Sequence, residues 1–519
     1  MNRDEMVGRL GDPSLIWDLV VVGGGATGLG VAVDASARGY RVLLLERGDF
    51  AQGSSSRSTK LIHGGVRYLQ RGNVSLVLEA LRERGILQRN APHLVGNLPF
   101  VVPNYEWWEA PFYGIGLKLY DMMAGEHGFG ASRRLSIEET MERLPNLETE
   151  GLRGGTVYYD GQFDDARLAI SLAQTAADHG ATLVNHANVA AVLKSGDAVS
   201  GVVVRDLEGG VEHCVRARAV VNATGPFSDA FRRLDDPDSE DIIRPSQGLH
   251  LVFDRSFLSG IDAVMVPRTS DGRIIFVIPW HDRVIVGTTD TPIRSVTAEP
   301  LPNEEEIAFL LETSARYLIR DPQREDIRAA FVGIRPLVCD ESGGTTAAIS
   351  REHTVNVSES GLVTIAGGKW TTYRKMAEDT VECARAVAGL PERPCPTQNL
   401  KIHGYDERAF EHGPLAAYGS DAPVLRGWID ANPICGERIH EAFDICVAEV
   451  LWGVRHEMAR TLEDVLARRT RALVLDTRAS IEAAPRVAAM MAAELQQDAV
   501  WVDSQVAAYR ALAESLLVR

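Results

Sequence analysis

The chain has 519 residues, is 45% hydrophobic and carries a formal net charge of −17 at pH 7, which makes room for about three domains at roughly 150 residues each. That acidity opposes nonspecific binding to nucleic acid or anionic lipid by the molecule as a whole, and no apolar run reaches the ~18 residues of a membrane span. Cys214, Cys339, Cys383, Cys395, Cys435 and Cys446 form no Cys-x-x-Cys pair and no regular framework, which argues against disulfides and metal sites and for reduced, cytosolic thiols.

Residues 1–13 mix Asp4, Glu5 and Asp12 with few apolar side chains, so neither a signal peptide nor a transit peptide is expected there. Residues 18–28 read Asp-Leu-Val-Val-Val-Gly-Gly-Gly-Ala-Thr-Gly, an apolar strand running into a glycine-rich turn. In a dinucleotide-binding unit Gly23 allows the tight turn and Gly25 lets the backbone approach a pyrophosphate. Gly28 lets the next helix, opened by Ala26 and Thr27, pack close to the strand with its N–H groups facing the phosphates. The following apolar run, Val42–Leu45, ends in Glu46, 18 residues beyond Gly28, with Arg47 next; Glu46 suits a ribose hydroxyl. A glycine triplet alone marks an ordinary α/β turn, whereas strand, turn, helix, strand and acid in this order specify nucleotide binding.

The polar loop 53–58 follows. Residues 57–89 carry Arg57, Lys60, Arg67, Arg71, Arg82, Arg84 and Arg89 against Glu79 and Glu83, a positive patch that serves either an anion or a solvated helix face. Trp107, Trp108, Phe112, Tyr113, Ile115, Leu117, Leu119, Tyr120, Met122 and Met123 crowd around Pro111 and Lys118. Two readings of this stretch stay open, a monotopic membrane contact and a buried aromatic wall. Residues 182–225 hold short β-rich runs with turns at 195–197 and 208–210, then a strand ending at Ala223-Thr224-Gly225. Residues 273–280 and 284–289 read as a hairpin closed by His281-Asp282-Arg283. Asn303 followed by Glu304, Glu305 and Glu306 opens a helix with Ile307, Leu310, Leu311 and Ser314 on one face. A third strand reaches Gly367-Gly368 and leads into Lys369. Three such strand-to-glycine junctions point to one nucleotide domain built from discontinuous segments, and the hairpin region to a sheet-based substrate domain. After the proline-rich break at 391–396 the chain turns helical from about Gly436, with Met490 and Met491 as core residues.

Lys60-Leu61-Ile62-His63-Gly64-Gly65-Val66-Arg67-Tyr68-Leu69, Val277-Ile278-Pro279-Trp280, Val286-Gly287-Thr288-Thr289-Asp290, Gly333-Ile334-Arg335-Pro336-Leu337 and Gly367-Gly368-Lys369-Trp370-Thr371-Thr372-Tyr373-Arg374 occur in this order. With the fingerprint they resemble the FAD-dependent glycerol-3-phosphate dehydrogenases over residues 18–375. Leu462-Glu463-Asp464-Val465-Leu466-Ala467-Arg468-Arg469-Thr470 resembles that family's C-terminal domain. The resemblance implies an α/β chain, α+β overall, with a glutathione-reductase-like Rossmann FAD domain (16–100, 156–235, 336–390). A substrate and membrane-facing segment (101–155), a β-sheet substrate domain (236–335) and a helical C-terminal domain (391–519) complete it. It also implies noncovalent FAD, oxidation of sn-glycerol 3-phosphate to dihydroxyacetone phosphate, and electron delivery to a membrane quinone. A lipid surface at the cytoplasmic face of the inner membrane, a homodimer and no nucleic-acid partner complete its expectations. Beside the fingerprint residues, cofactor contacts are expected from Ser58, Thr59, Lys60, Leu61 and His63, from Val189, Ala223, Thr224 and Gly225, and from Gly367, Gly368, Lys369, Trp370 and Thr371.

Removing a hydride from a secondary alcohol needs an acceptor ring, an anchor for the rest of the substrate and a group that takes the hydroxyl proton. Charge-assisted hydrogen bonds of about 1.5–3 kcal/mol each hold a phosphate dianion, and Arg67, Arg335 and Lys369 fit that task with Tyr68 and Thr371 beside them. Neutralising an arginine, with a pKa above ~12, costs about 7 kcal/mol at pH 7, whereas a histidine near ~6.5 costs almost nothing. His63 is therefore the better base and Arg335 the better stabiliser of a developing alkoxide. A structural role for His63 and a flavin contact for Lys369 stay open. His456-Glu457 lacks a second histidine four residues after the first, and no phosphate-binding Lys-Ser loop, Gly-x-Ser-x-Gly or calcium loop occurs. An oxygen-using oxidase of the same substrate, an FAD-dependent amino-acid oxidase and a non-enzymatic flavoprotein are the rival readings.

Overall fold

In the computed structural model, which describes residues 1–65, 73–267, 269, 272–339 and 352–518, two sheets and a helical layer share one continuous body. The first sheet has five parallel strands in the spatial order Thr182–Val184, Val42–Leu45, Ile16–Val22, Glu212–Asn222 and Val363–Gly367. His353–Val357 adds an antiparallel edge, and Ala187–Ser195 with Ala198–Asp206 forms a meander onto Glu212–Asn222. Parallel strands are buried on both faces, and alternate residues serve the two sides. Leu19, Val21 and Leu44 enter a core with helices Ala26–Ala37, Asp165–Asp178 and Tyr373–Val387, while Val20, Val22, Leu43 and Leu45 enter another beneath the meander. The three strand-to-glycine junctions thus end three neighbouring strands at one sheet edge, where ligands of such sheets bind.

The second sheet runs Thr291–Pro292, Ile243–Asp254, Arg283–Gly287, Ile275–Trp280, Ala263–Val266, Val95–Pro103, Gly155–Phe163 and Leu61–Ile62. Ala329–Val338 pairs along Ile243–Asp254, and Arg133–Leu135 along Gly155–Phe163. The hairpin read from the sequence is present, with Trp280 opposite Arg283 and His281 in the turn at φ 50°. The segment boundaries need correction. Val95–Pro103 and Gly155–Phe163 pair with each other in the second sheet, so the limits at 100/101 and 155/156 cut through its strands, and 335/336 cuts Ala329–Val338. Local sequence reveals a strand, but the neighbour that satisfies its backbone N–H and C=O groups is a tertiary fact.

Asn303 caps Glu304–Ala315 by accepting the Glu305 N–H at 2.8 Å, with Ile307 and Leu310 buried beneath. Helices Val447–His456, Thr477–Leu495 and Ala499–Ser515 belong to the C-terminal layer. Their core, which includes Met491, continues into Val252, Trp280, Ile285 and Phe331 of the second sheet. The aromatic stretch forms the helix Glu109–Ala124, which buries one face and exposes the other. Tyr113, Leu117 and Tyr120 are buried, whereas Phe112, Ile115, Leu119 and Met122 are exposed, Ile115 at 72% and Met122 at 79%.

Candidate active site

The first two glycine junctions and the acid of the second strand border a cavity of about 780 Å³. Gly23, Gly25, Ala26, Thr27, Glu46, Arg47, Val189, Ala223, Thr224 and Gly225 line it. Gly23 adopts φ 111°, and a Cβ there would stand 2.5 Å from the Ala223 carbonyl oxygen, so only glycine makes this turn. Gly28 lies behind the wall, where a Cβ would overlap the Gly23 carbonyl oxygen; its absence lets the Ala26–Ala37 helix begin against the strand. Glu46 accepts the Gly24 and Gly48 N–H groups at 2.6 and 2.8 Å. Burial raises its pKa and these two amides oppose the rise.

A second group of nominated residues gathers around the turn Ser54–Ser56. Ser54 Oγ donates to the Ile334 carbonyl, and Trp370 Nε1–H donates to the Ser55 carbonyl at 2.9 Å. A Cβ on Gly333 would meet the Arg57 carbonyl oxygen at 2.7 Å. The His63 N–H donates to Thr371 Oγ1 at 3.3 Å, and that hydroxyl lies 3.4 Å from the His63 carbonyl oxygen it faces as donor. Motifs separated by hundreds of residues therefore close on one loop. Gly367 ends its strand, and Gly368 and Lys369 lead to the turn Trp370–Thr372. Arg335, opposite Ser246 in the sheet, donates to Thr288 Oγ1 at 3.1 Å and to the Gln247 carbonyl at 3.4 Å, and lies 3.5 Å from Asp290. The Gly64 N–H donates to Tyr120 Oη at 2.8 Å. That hydroxyl donates to Asp160 at 3.0 Å, and Arg84 is paired with the same carboxylate. The backbone beside His63 is thereby tied to the inner face of the Glu109–Ala124 helix.

Two nominated side chains have other work. Lys60 Nζ is fully buried and donates to the two Asp165 oxygens at 2.8 and 2.7 Å and to the Ser56 carbonyl at 2.7 Å. Ser58 gives Asp165 its N–H at 3.0 Å and its hydroxyl at 2.7 Å. A cation this deep needs a carboxylate partner, and the pair fastens the loop to the Asp165–Asp178 helix. Burial, opposed by Asp165, pushes Lys60 down to about 8. Thr59 Oγ1 is 2.9 Å from Nε2 of His250, a histidine the sequence did not single out. Burial holds His250 neutral, and the Lys60 and Arg335 cations act in the same direction. Leu61 is buried in its short strand, and Arg374 is spent on Glu83 at 2.7 Å and Glu378 at 2.9 Å. Arg67 and Tyr68 lie outside the described residues.

The family profile described as FAD dependent oxidoreductase matches residues 18–374, and that of the C-terminal domain of alpha-glycerophosphate oxidase matches residues 360–501. The mitochondrial glycerol-3-phosphate dehydrogenase of Macaca fascicularis is 43% identical over 526 aligned residues, covering 93% of this chain and 71% of that protein. The chain belongs to the FAD-dependent glycerol-3-phosphate dehydrogenase family. The Schizosaccharomyces pombe member is 39% identical, covering 97% of this chain and 88% of its own. The X-ray structure of the Bacillus halodurans glycerol-3-phosphate dehydrogenase complexed with FAD is similar with a TM-score of 0.80 at 28% identity, covering 99% of this chain and 97% of that one.

The residues of this glycerol-3-phosphate dehydrogenase family member fit the cofactor of the family. A Cβ at Gly25 would approach Ser55 Oγ to 2.9 Å, so the missing side chain keeps open the cradle at the helix N-terminus where a pyrophosphate binds. Glu46, oriented by two amides, lines the same cavity. Sequence reasoning missed one wall altogether: Thr461, Glu463, Asp464, Gln505, Ala508 and Tyr509 of the C-terminal layer also line the cavity. The Leu462-to-Thr470 motif was visible, but nothing in its own pattern points to a cofactor.

Proposed function

We propose that the protein oxidises sn-glycerol 3-phosphate to dihydroxyacetone phosphate with noncovalently bound FAD and passes the electrons to a membrane quinone at the cytoplasmic face of the inner membrane. The observation that carries this reading is the closure of the Arg335 and Thr371 motifs on the Ser54–Ser56 turn, with His63 bonded to Thr371, in a chain whose family relation spans nearly its whole length. Bound FAD supplies the two-electron acceptor for the hydride that leaves C2. His63 takes the C2 hydroxyl proton, which costs little at neutral pH. Arg335, held by Thr288 and Asp290, stabilises the negative charge that develops on that oxygen. Arg67, Lys369, Tyr68 and Thr371 hold the phosphate, whose charge selects this ester over glycerol. Glu46 and the glycine turn hold the nucleotide, and Val189, Ala223, Thr224 and Gly225 complete its wall.

Among the described residues no helix is long and apolar enough to cross a membrane. The exposed face of Glu109–Ala124, with Trp107 at 75% exposure just before it, suits insertion into the lipid interface, with the quinone drawn from the same layer. Turnover should require a quinone analogue and yield dihydroxyacetone phosphate. Peroxide released at an equal rate without quinone would identify an oxidase instead. Arg335→Ala should abolish substrate turnover while FAD stays bound, and unchanged turnover would remove that assignment. The protein should float with liposomes of the host's lipids at physiological salt, and Ile115→Glu with Met122→Glu should leave it at the bottom of the gradient. Flotation that the double substitution does not alter would displace the contact from this helix.

A further inference from the structure

The Leu462-to-Thr470 motif plays no part in the chemistry above, yet it lies against the cofactor cavity. Glu463 and Asp464 line that cavity, with Gln505 and Tyr509 of the last helix beside them. Buried charge joins this wall to the nucleotide-binding unit. Asp49, three residues beyond Glu46, accepts Arg468 Nε at 2.6 Å and two Arg469 nitrogens at 2.6 and 2.9 Å, and all three residues are at most 2% exposed. His186, also on the cavity wall and just ahead of Val189, pairs with Asp464 at 2.9 Å. Arg468 braces Glu463 at 2.6 Å and Asp464 at 2.8 Å, and Gln505 Oε1 accepts the Leu462 N–H at 2.9 Å. A helical layer that only covered the second sheet would be satisfied by its apolar core there. Charges taken this far from water are tolerated only as complete pairs, and these pairs are concentrated where two domains meet at the cavity.

We infer that the C-terminal domain is a working part of the cofactor site: residues 461–470 and the last helix close the cavity over FAD, and the Asp49–Arg468–Arg469 and His186–Asp464 pairs set how tightly it is retained. The closed end is that of Glu46 and Val189, the nucleotide half, since His63 and Thr371 do not line this cavity. The inference rests on the cavity taking FAD and is independent of the substrate.

The test strips FAD from the full-length protein and follows its rebinding by flavin fluorescence and by the rise in Tm. Wild type is compared with His186→Asn, Arg468→Met and Arg455→Met, the last removing an exposed pair with Glu494 that is no part of the cavity. Asparagine tolerates the positive φ of His186. Arg455→Met should rebind like wild type, while His186→Asn and Arg468→Met should bind about tenfold more weakly, the loss of one charge-assisted hydrogen bond. FAD should also slow amide exchange across 461–470 in the wild type. Unchanged rebinding by His186→Asn, together with unchanged exchange in that segment, would overturn the inference even if Arg468→Met does not fold. A wild-type apoprotein that binds no FAD would instead overturn the cofactor assignment on which it rests.

Discussion

At the cofactor end of the site, Gly23, Gly25, Gly28 and Glu46 come from one strand-turn-helix-strand unit, and their backbone geometry shapes one wall of the cavity. At the proposed substrate end, His63, Arg335 and Thr371 come from three distant segments, which are joined by the bonds of Ser54 to Ile334, of Trp370 to Ser55 and of His63 to Thr371. The first end is constrained by sterics that tolerate no added atom. The second is constrained by a chain of hydrogen bonds, each worth about 0.5–1.5 kcal/mol net, whose effect is to place groups rather than to create space. Damage to the first should therefore empty the site, whereas damage to the second should leave a full site that reacts slowly.

The largest contrast is expected from Gly28→Ala, whose methyl group would displace the helix N-terminus from the pyrophosphate. Losing two charge-assisted bonds there should weaken FAD binding about a hundredfold or more, giving a folded, colourless protein; a yellow preparation with normal affinity would break the steric half of the comparison. Next, His63→Asn should keep the full flavin absorption and lower the rate of flavin reduction by substrate about a hundredfold. A near-wild-type rate in rapid mixing would remove His63 as the base. A smaller effect belongs to Tyr120→Phe, which deletes the hydroxyl between the Gly64 N–H and Asp160. We expect kcat about tenfold lower with KM little changed, because a positioning loss acts on the reacting geometry. An altered KM with normal kcat would place Tyr120 in substrate binding instead.

The smallest effect serves as a control away from both ends. Asp178 and Asp421 flank His403 at 2.6 and 3.0 Å. Burial alone would lower its pKa, but the two carboxylates outweigh burial and bring it up to about 9. Since the folded value exceeds the unfolded one of ~6.5, the stability His403 contributes is complete below pH ~6.5 and is lost as pH rises through about 9. His403→Gln should flatten this part of the Tm-against-pH curve without altering flavin reduction. A curve parallel to wild type across that window would contradict the assignment.

The same contrast accounts for what the sequence revealed. The fingerprint could be read because its function is encoded in consecutive backbone conformations, and the Asn303 cap and the His281 hairpin were legible for the same reason. The Asp165 partner of Lys60 and Ser58 was not legible because a cationic loop beside a nucleotide motif looks alike whether its charge meets a phosphate or a buried carboxylate. Only the fold brings Asp165 to them. The sheet membership of Gly155–Phe163 and the wall supplied by Asp464 and Gln505 likewise depend on pairings across the fold, which leave no periodicity in either partner. His250 was passed over because an isolated histidine carries no pattern, although its bond to Thr59 puts it beside the motif that was found.

The most direct measurement is an anaerobic visible spectrum of the FAD-loaded protein before and after addition of sn-glycerol 3-phosphate, with glycerol and D-alanine as controls. The phosphate ester alone should bleach the flavin band, because the cations and His63 of the proposed substrate end act together on a phosphorylated secondary alcohol. Bleaching by D-alanine, or a band untouched by the phosphate ester, would contradict it.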